Sequence, residues 1–225
     1  MKRQTIWDIP TRIFHWLLVA SFAFQWVSAE LLDDAILWHA RIGYALLGLI
    51  MFRIVWGFIG TRFARFSSLS LSPKETLTYS KQLLNKSSKE YAGHNPVGSW
   101  AVVMILVLMA LQAISGLFVS DDVFTEGPYR SAVSSSVLNV MEFIHFNLFN
   151  LLLAIVVLHV VAVLFYQFYK GQALINAMIT GKKWLKEDVG INSSRLVLAV
   201  ILAAVVAAGV YVLVEVLPPE PEFYY

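Results

Sequence analysis

Five histidines are the residues best able to do chemistry in this sequence: His15, His39, His94, His145 and His159. All but His94 stand inside long apolar stretches. An ionisable side chain at hydrocarbon depth is costly, and as a rule it faces the protein interior with a partner or a cofactor. His145 and His159 share one stretch, fourteen residues apart. Fourteen helical steps return to within roughly 40° of the same face and rise ~21 Å. One helix would thus present two imidazoles in one direction at two depths.

Three chemistries fit such histidines. A pair of imidazoles at one depth can hold the iron of a low-spin b haem, because the macrocycle supplies the four remaining nitrogens. Zinc or copper is the second, although those ions usually take three or four protein ligands, often with carboxylate or thiolate among them. Here the nearest acid is Glu142, at the mouth of its stretch, and the sequence has no cysteine. That absence also excludes disulfides, iron–sulfur clusters and covalently attached c-type haem. The third is a packing histidine bonded to a backbone carbonyl.

The elements that must position these side chains are membrane helices. The 225 residues are 58% hydrophobic and 14% charged, against roughly 25% charged for a soluble domain. A soluble fold of this length lacks the interior to hide so much apolar surface. Five stretches are long enough to span: about 13–29, 36–59, 96–119, 140–168 and 196–217. Helices satisfy their own backbone in lipid, and the alternating ten-residue segments of a barrel are absent. The first stretch lacks a small-residue cleavage site and reads as a retained span.

The loops alternate in charge. Lys2, Arg3 and Arg12 precede the first span, and Glu30, Asp33 and Asp34 follow it. Arg62, Arg65, Lys74, Lys81, Lys86 and Lys89 lie before the third, and Asp121, Asp122 and Glu126, with Arg130, after it. Lys170, Lys182, Lys183 and Lys186 precede the fifth, and the tail carries Glu220 and Glu222. The positive-inside rule then places the N-terminus in the cytoplasm and the C-terminus outside. The expected fold is an all-α polytopic transmembrane bundle in the bacterial inner membrane. In that topology His39 and His145 lie near the outer face and His15 and His159 near the inner face, which pairs them by depth. A net charge of +2 gives no reason to expect nucleic acid.

Other residues carry weaker signals. His94, in Gly93-His94-Asn95-Pro96, stands where a helix start is expected; it either belongs to that turn or bonds a quinone carbonyl or relays a proton. Gly43, Gly48 and Gly116 leave room for a porphyrin face or for a neighbouring helix. Arg12, Arg41 and Arg53 lie near helix ends, with Arg41 and Arg53 favoured as partners of haem propionates over snorkelling to headgroups. Trp7, Trp16, Trp26, Trp38, Trp56 and Trp100 suit an interfacial belt. A short surface helix is expected near 74–84, and an extended tail at Pro218-Pro219-Glu220-Pro221.

Several stretches together resemble the prokaryotic cytochrome b561 family, which includes the b-type cytochrome subunits of nickel–iron hydrogenases. They are Trp7-Asp8-Ile9-Pro10-Thr11-Arg12 with Phe14-His15-Trp16, Trp38-His39-Ala40-Arg41-Ile42-Gly43-Tyr44, Arg53-Ile54-Val55-Trp56-Gly57-Phe58 with Gly60 and Ala64-Arg65-Phe66, Gly93-His94-Asn95-Pro96, the His145 to His159 spacing, and Ala177-Met178-Ile179-Thr180-Gly181-Lys182. The resemblance implies a four-helix bundle over residues 1–183 holding two b haems, with His15, His39, His145 and His159 as axial ligands. Residues 184–225 would add a fifth helix and a short outer tail. It also implies membrane electron transfer between a quinone pool and a redox partner, either a periplasmic c-type cytochrome or a dehydrogenase or hydrogenase subunit. Two other readings are a stand-alone superoxide:quinone oxidoreductase and a non-redox metal-binding membrane protein.

Overall fold

The computed structural model describes residues 1–33, 35–85, 90–121 and 125–219. The loop charges Asp34, Lys86, Lys89 and Asp122 and the tail residues Glu220, Pro221 and Glu222 lie outside the described residues. The chain is mainly helical: α1 (Ile9–Glu30), α2 (Ile36–Ile59), α3 (Pro73–Lys81), α4 (Pro96–Ser115), α5 (Ser135–Leu164), α6 (Leu174–Thr180) and α7 (Leu196–Tyr211). Two short strands, β1 (Lys2–Thr5) and β2 (Lys182–Leu185), pair antiparallel with Lys2 opposite Leu185. One π-helical turn, Phe165–Tyr169, continues α5 and another, Val212–Val216, continues α7.

Among the described residues four helical stretches are long and apolar enough to cross a membrane: Ile36–Ile59, Pro96–Phe118, Ser135–Tyr169 and Leu196–Val216. The chain is a multi-pass membrane protein. Helix α1 has 22 residues, but Thr11, Arg12, His15, Gln25 and Ser28 make it more polar than those four.

The helix starts follow from local chemistry. Asp8 caps α1, its Oδ1 accepting from the Thr11 backbone N–H at 2.6 Å, with Pro10 in the first turn. Asn95 caps α4 in the same way, accepting from Gly98 N–H at 2.8 Å, ahead of Pro96. Ser72 caps α3 before Pro73, and Glu75 stands at the third position.

The chain forms two compact units, and the five long helices each contribute residues to both. The first comprises Met1–Phe14, Arg53–Leu106 and Ala154–Val200. Its core gathers Ile6, Trp7, Phe63, Ala177 and Leu185. Gln4 is a buried staple here: its Oε1 accepts from Val189 and Gly190 N–H at 2.8 and 2.7 Å, and its Nε2 donates to the Glu187 carbonyl at 2.5 Å. Arg195 donates to the Ile59 carbonyl at 3.0 Å and so caps the end of α2. The second unit comprises His15–Phe52, Val107–Leu153 and Ile201–Tyr225. In it α7 packs on α2, where a methyl group at Gly48 would stand 3.4 Å from Val210. The Tyr129 hydroxyl donates to the Leu213 carbonyl at 2.8 Å. The fifth long helix is therefore fastened to the rest of the fold in both units.

Candidate functional site

The second unit brings two of the expected site residues together. His39 sits in the first turn of α2 and His145 in the third turn of α5, and their ring centroids are 6.3 Å apart with planes at 79°. Both rings are anchored through Nδ1. His39 Nδ1 lies 3.0 Å from the Ser28 hydroxyl of α1. His145 Nδ1 lies 3.1 Å from the Gln112 carbonyl and 3.3 Å from the Ser115 hydroxyl, both on α4. A neutral imidazole that donates from Nδ1 keeps Nε2 as its acceptor or metal ligand. Two nitrogens each bound ~2 Å from a shared metal place their ring centroids about 6 Å apart, so these rings fit a two-imidazole centre.

Helix α4 supplies no histidine, yet it closes the site. The Gln112 amide donates to the His145 carbonyl at 2.9 Å, tying side chain and backbone of one residue to one turn of its neighbour. Gly116 makes room for the ring, since a methyl group there would stand 3.0 Å from His145 Cε1. At Gly43 a methyl group would meet Gln25 Nε2 at 2.9 Å. Among the described residues no three His, Asp or Glu side chains converge. The arrangement thus offers two nitrogens and leaves further coordination to another group.

His15 belongs to the second unit and packs edge-on against Trp16, with ring centroids 5.0 Å apart. His159 belongs to the first unit, half-buried on α5. The expected pairing of these two rests on their matching depth in the topology that the loop charges indicate. Arg41 is exposed, with its guanidinium over the Trp38 ring at 5.3 Å.

The first unit buries charge. Arg53 is 4% exposed, its guanidinium lies over the Phe66 ring at 5.1 Å, and its Nη1 has no hydrogen-bond partner among the described residues. Asp8 is 1% exposed and accepts from the Trp56 indole at 3.4 Å and from the Thr61 hydroxyl. Trp7 and Trp56 are therefore core residues and depart from the expected belt: Trp56 is held inward by this bond, and Trp7 by contact with His94, ring centroids 4.8 Å apart. Trp16, Trp26, Trp38 and Trp100 are exposed, as a belt requires. His94 Nδ1 is buried without a partner among the described residues. Burial first, then the charges of Arg53 and Lys183, push its imidazole down to about 3, so it is neutral at physiological pH. Lys183 is itself pulled down by burial and donates to the Tyr91 carbonyl at 3.2 Å.

The family described as prokaryotic cytochrome b561 matches residues 6–181. The chain belongs to the prokaryotic cytochrome b561 family. It is similar to a probable Ni/Fe-hydrogenase B-type cytochrome subunit of Azotobacter chroococcum mcd 1, 24% identical over 84% of this chain and 92% of the relative. It is also similar to the protein of the same description from Azotobacter vinelandii, 26% identical over 49% of this chain and 58% of that relative. No solved structure matches. Membership in this cytochrome family implies haem b and membrane electron transfer.

The sequence reading found the histidines of this b561 protein and missed what holds them. Gln25, Ser28, Gln112 and Ser115 are polar residues in apolar helices, and that contrast was the available signal. Asp8 belongs to a family stretch, and its role as a helix cap bonded to Trp56 and Thr61 shows only in the fold.

Proposed function

We propose that this chain is a di-haem b-type cytochrome of the bacterial inner membrane that exchanges electrons between a quinone pool and a redox partner protein. One haem is held by His39 and His145 and the other by His15 and His159. The observation that carries the reading is the His39–His145 pair: two imidazoles from different helices, 6.3 Å apart, each already bonded at Nδ1. The bound group supplies one-electron iron chemistry, and the protein supplies position, electrostatics and exclusion of water.

The second haem follows from the depth match of His15 and His159. Arg53, buried with an unused guanidinium nitrogen, is suited to receive a propionate, and Arg41 is the corresponding cation on the other haem's side. All five long helices span, with the N-terminus in the cytoplasm and the C-terminus outside, as the basic and acidic loops direct. The relatives are described as hydrogenase subunits, which favours a hydrogenase as partner over a periplasmic c-type cytochrome. A superoxide-consuming enzyme would want a free positive patch at the outer face, but Arg130 is bonded to Glu142 at 2.6 Å.

The test is absorption spectroscopy of the purified protein, reduced minus oxidised, with quinol as reductant. The expected result is a b-type α-band equivalent to two haems per chain. Protein that stays colourless when isolated from haem-replete cells would end the reading.

A further inference from the structure

The two imidazoles of the second unit are gripped by one device used twice. On α1, Gln25 and Ser28 stand three residues apart, and on α4, Gln112 and Ser115 do the same. In each pair the serine hydroxyl donates to the glutamine carbonyl, at 3.2 Å for Ser28 and 3.0 Å for Ser115. With its hydrogen so committed, each hydroxyl presents a lone pair to the Nδ1 of the facing histidine, 3.0 Å away at His39 and 3.3 Å away at His145. At His145 the same glutamine carbonyl is a second acceptor, 3.1 Å from Nδ1. Both serines are buried, 5% and 1% exposed.

A serine that bonds its own helix backbone is ordinary on its own. The repetition is not: the same two residue types, at the same spacing, on two helices that carry neither ring, meet the same nitrogen of both rings. Neither hydroxyl can donate to the imidazole while its hydrogen is on the carbonyl. At His145 the Gln112 backbone carbonyl, which can only accept, lies nearer Nδ1, at 3.1 Å, than the Gln112 amide nitrogen, which can only donate, at 3.4 Å; with the imidazole as donor, Nε2 is the nitrogen left with a lone pair.

We infer that Gln25-x-x-Ser28 and Gln112-x-x-Ser115 are twin positioning cradles that fix His39 and His145 as Nδ1–H tautomers and set the basicity of both as axial ligands of one haem. This inference rests on the proposed ligation by His39 and His145 and deepens it. An acceptor at Nδ1–H raises the electron density that Nε2 offers to a metal. A more basic ligand pair favours the ferric state, so the cradles hold this haem at a lower reduction potential than bare imidazoles would. The cradles are not equivalent. At His39 the hydroxyl is at 3.0 Å, whereas at His145 the carbonyl at 3.1 Å is nearer than the hydroxyl at 3.3 Å. Ser28 therefore has more influence than Ser115.

The test uses the full-length haem-loaded protein, with Ser28→Ala, Ser115→Ala, the double variant and Ser28→Thr. Spectroelectrochemical titration resolves the two haems, and electron paramagnetic resonance of the ferric protein reports the axial field. Ser28→Ala is expected to shift one haem toward the ferrous form several-fold and at most about tenfold, which is about 59 mV for one electron. Ser115→Ala moves the same haem in the same direction by less, the double variant by about their sum, and the other haem stays put. Ser28→Thr, which keeps a hydroxyl able to bond the preceding turn, restores the wild-type potential. Loss of one haem in Ser28→Ala with retention in Ser28→Thr would support the cradle as well. A double variant with both haems present and both potentials unchanged would overturn the inference and leave the ligand assignment intact, as would equal shifts in both haems. Wild-type protein without haem would remove the ligand assignment itself.

Discussion

The two units handle buried polarity in opposite ways. In the second, the polar groups around His39 and His145 are neutral: hydroxyls, amides and backbone carbonyls. In the first, a carboxylate and a guanidinium are buried, Asp8 at 1% and Arg53 at 4% exposed. Neutral groups can complete each other's hydrogen bonds and still leave one ring nitrogen per histidine for a ligand, at a desolvation cost of a few kcal/mol at most. Buried ions cost several kcal/mol each unless paired and bonded. A neutral shell of that kind around His39 and His145 suits a guest, whereas the buried charge of the first unit rests on contacts that cannot be loosened cheaply. In keeping with this, three different segments converge on Asp8: the start of α1, Trp56 of α2 and Thr61 beyond it.

The sharpest break of this comparison is removal of a ring. His39→Ala and His145→Ala are each expected to abolish the same haem and halve the α-band, whereas His15→Ala and His159→Ala abolish the other. Pigment content against protein concentration measures this. If His39→Ala and His145→Ala removed different haems, the pairing would be wrong.

Next in size is Asp8→Ala. It strips the acceptor from the Thr11 N–H, the Trp56 indole and the Thr61 hydroxyl. A hydrogen bond to a charged group contributes about 1.5–3 kcal/mol, so losing this buried acceptor costs several kcal/mol. Thermal unfolding in detergent should show that loss, and Asp8→Asn, which keeps an acceptor without the charge, should lose less. A comparable loss from Ser115→Ala would contradict the division between a charged and a neutral unit, since a neutral hydrogen bond contributes about 1 kcal/mol.

Gly116→Ala probes the neutral unit by volume. The added methyl group would stand 3.0 Å from His145 Cε1 and 3.4 Å from its Nδ1. Overpacking of this kind costs about 1–3 kcal/mol, and here the strain falls on a ring that is already hydrogen-bonded. A broadened or shifted α-band from one haem is the expected sign. At Gly48 the nearest neighbour is a Val210 methyl at 3.4 Å, so Gly48→Ala should leave both spectrum and melting temperature close to wild type.

What was legible in the sequence divides along the same line. Four of the apolar stretches followed from length and hydropathy, and His39 was matched to His145 by depth in the topology that the loop charges indicate; the short helix expected near 74–84 lies at Pro73–Lys81. Period and spacing are properties of one chain segment at a time. The cradles are properties of two segments: nothing in α1 alone says that Ser28 will meet His39. Nor does a tryptophan near a span end announce whether it faces outward, as Trp38 does at 57% exposed, or toward a buried carboxylate, as Trp56 does at 0%. Neither the Gln4 staple nor the β1–β2 pair was anticipated, because strands of four residues carry too little pattern to stand out.

The smallest effect concerns His94, where the charged unit meets pH. Burial first, and then Arg53 and Lys183, hold its imidazole at about 3, against 6.5 for a free histidine. Between those values the folded protein binds fewer protons than the unfolded chain. The stability tied to His94 is therefore fully present above pH 6.5 and is lost as the pH falls toward 3. His94→Asn has no such titration. Unfolding midpoints measured in detergent at pH 7, 6, 5 and 4 should fall less steeply for His94→Asn than for the wild type, with the two curves converging near pH 7. Parallel curves would mean that His94 is not confined as a neutral ring, and that the burial of charge around it is looser than the contact with Trp7 and the orphaned Nδ1 indicate.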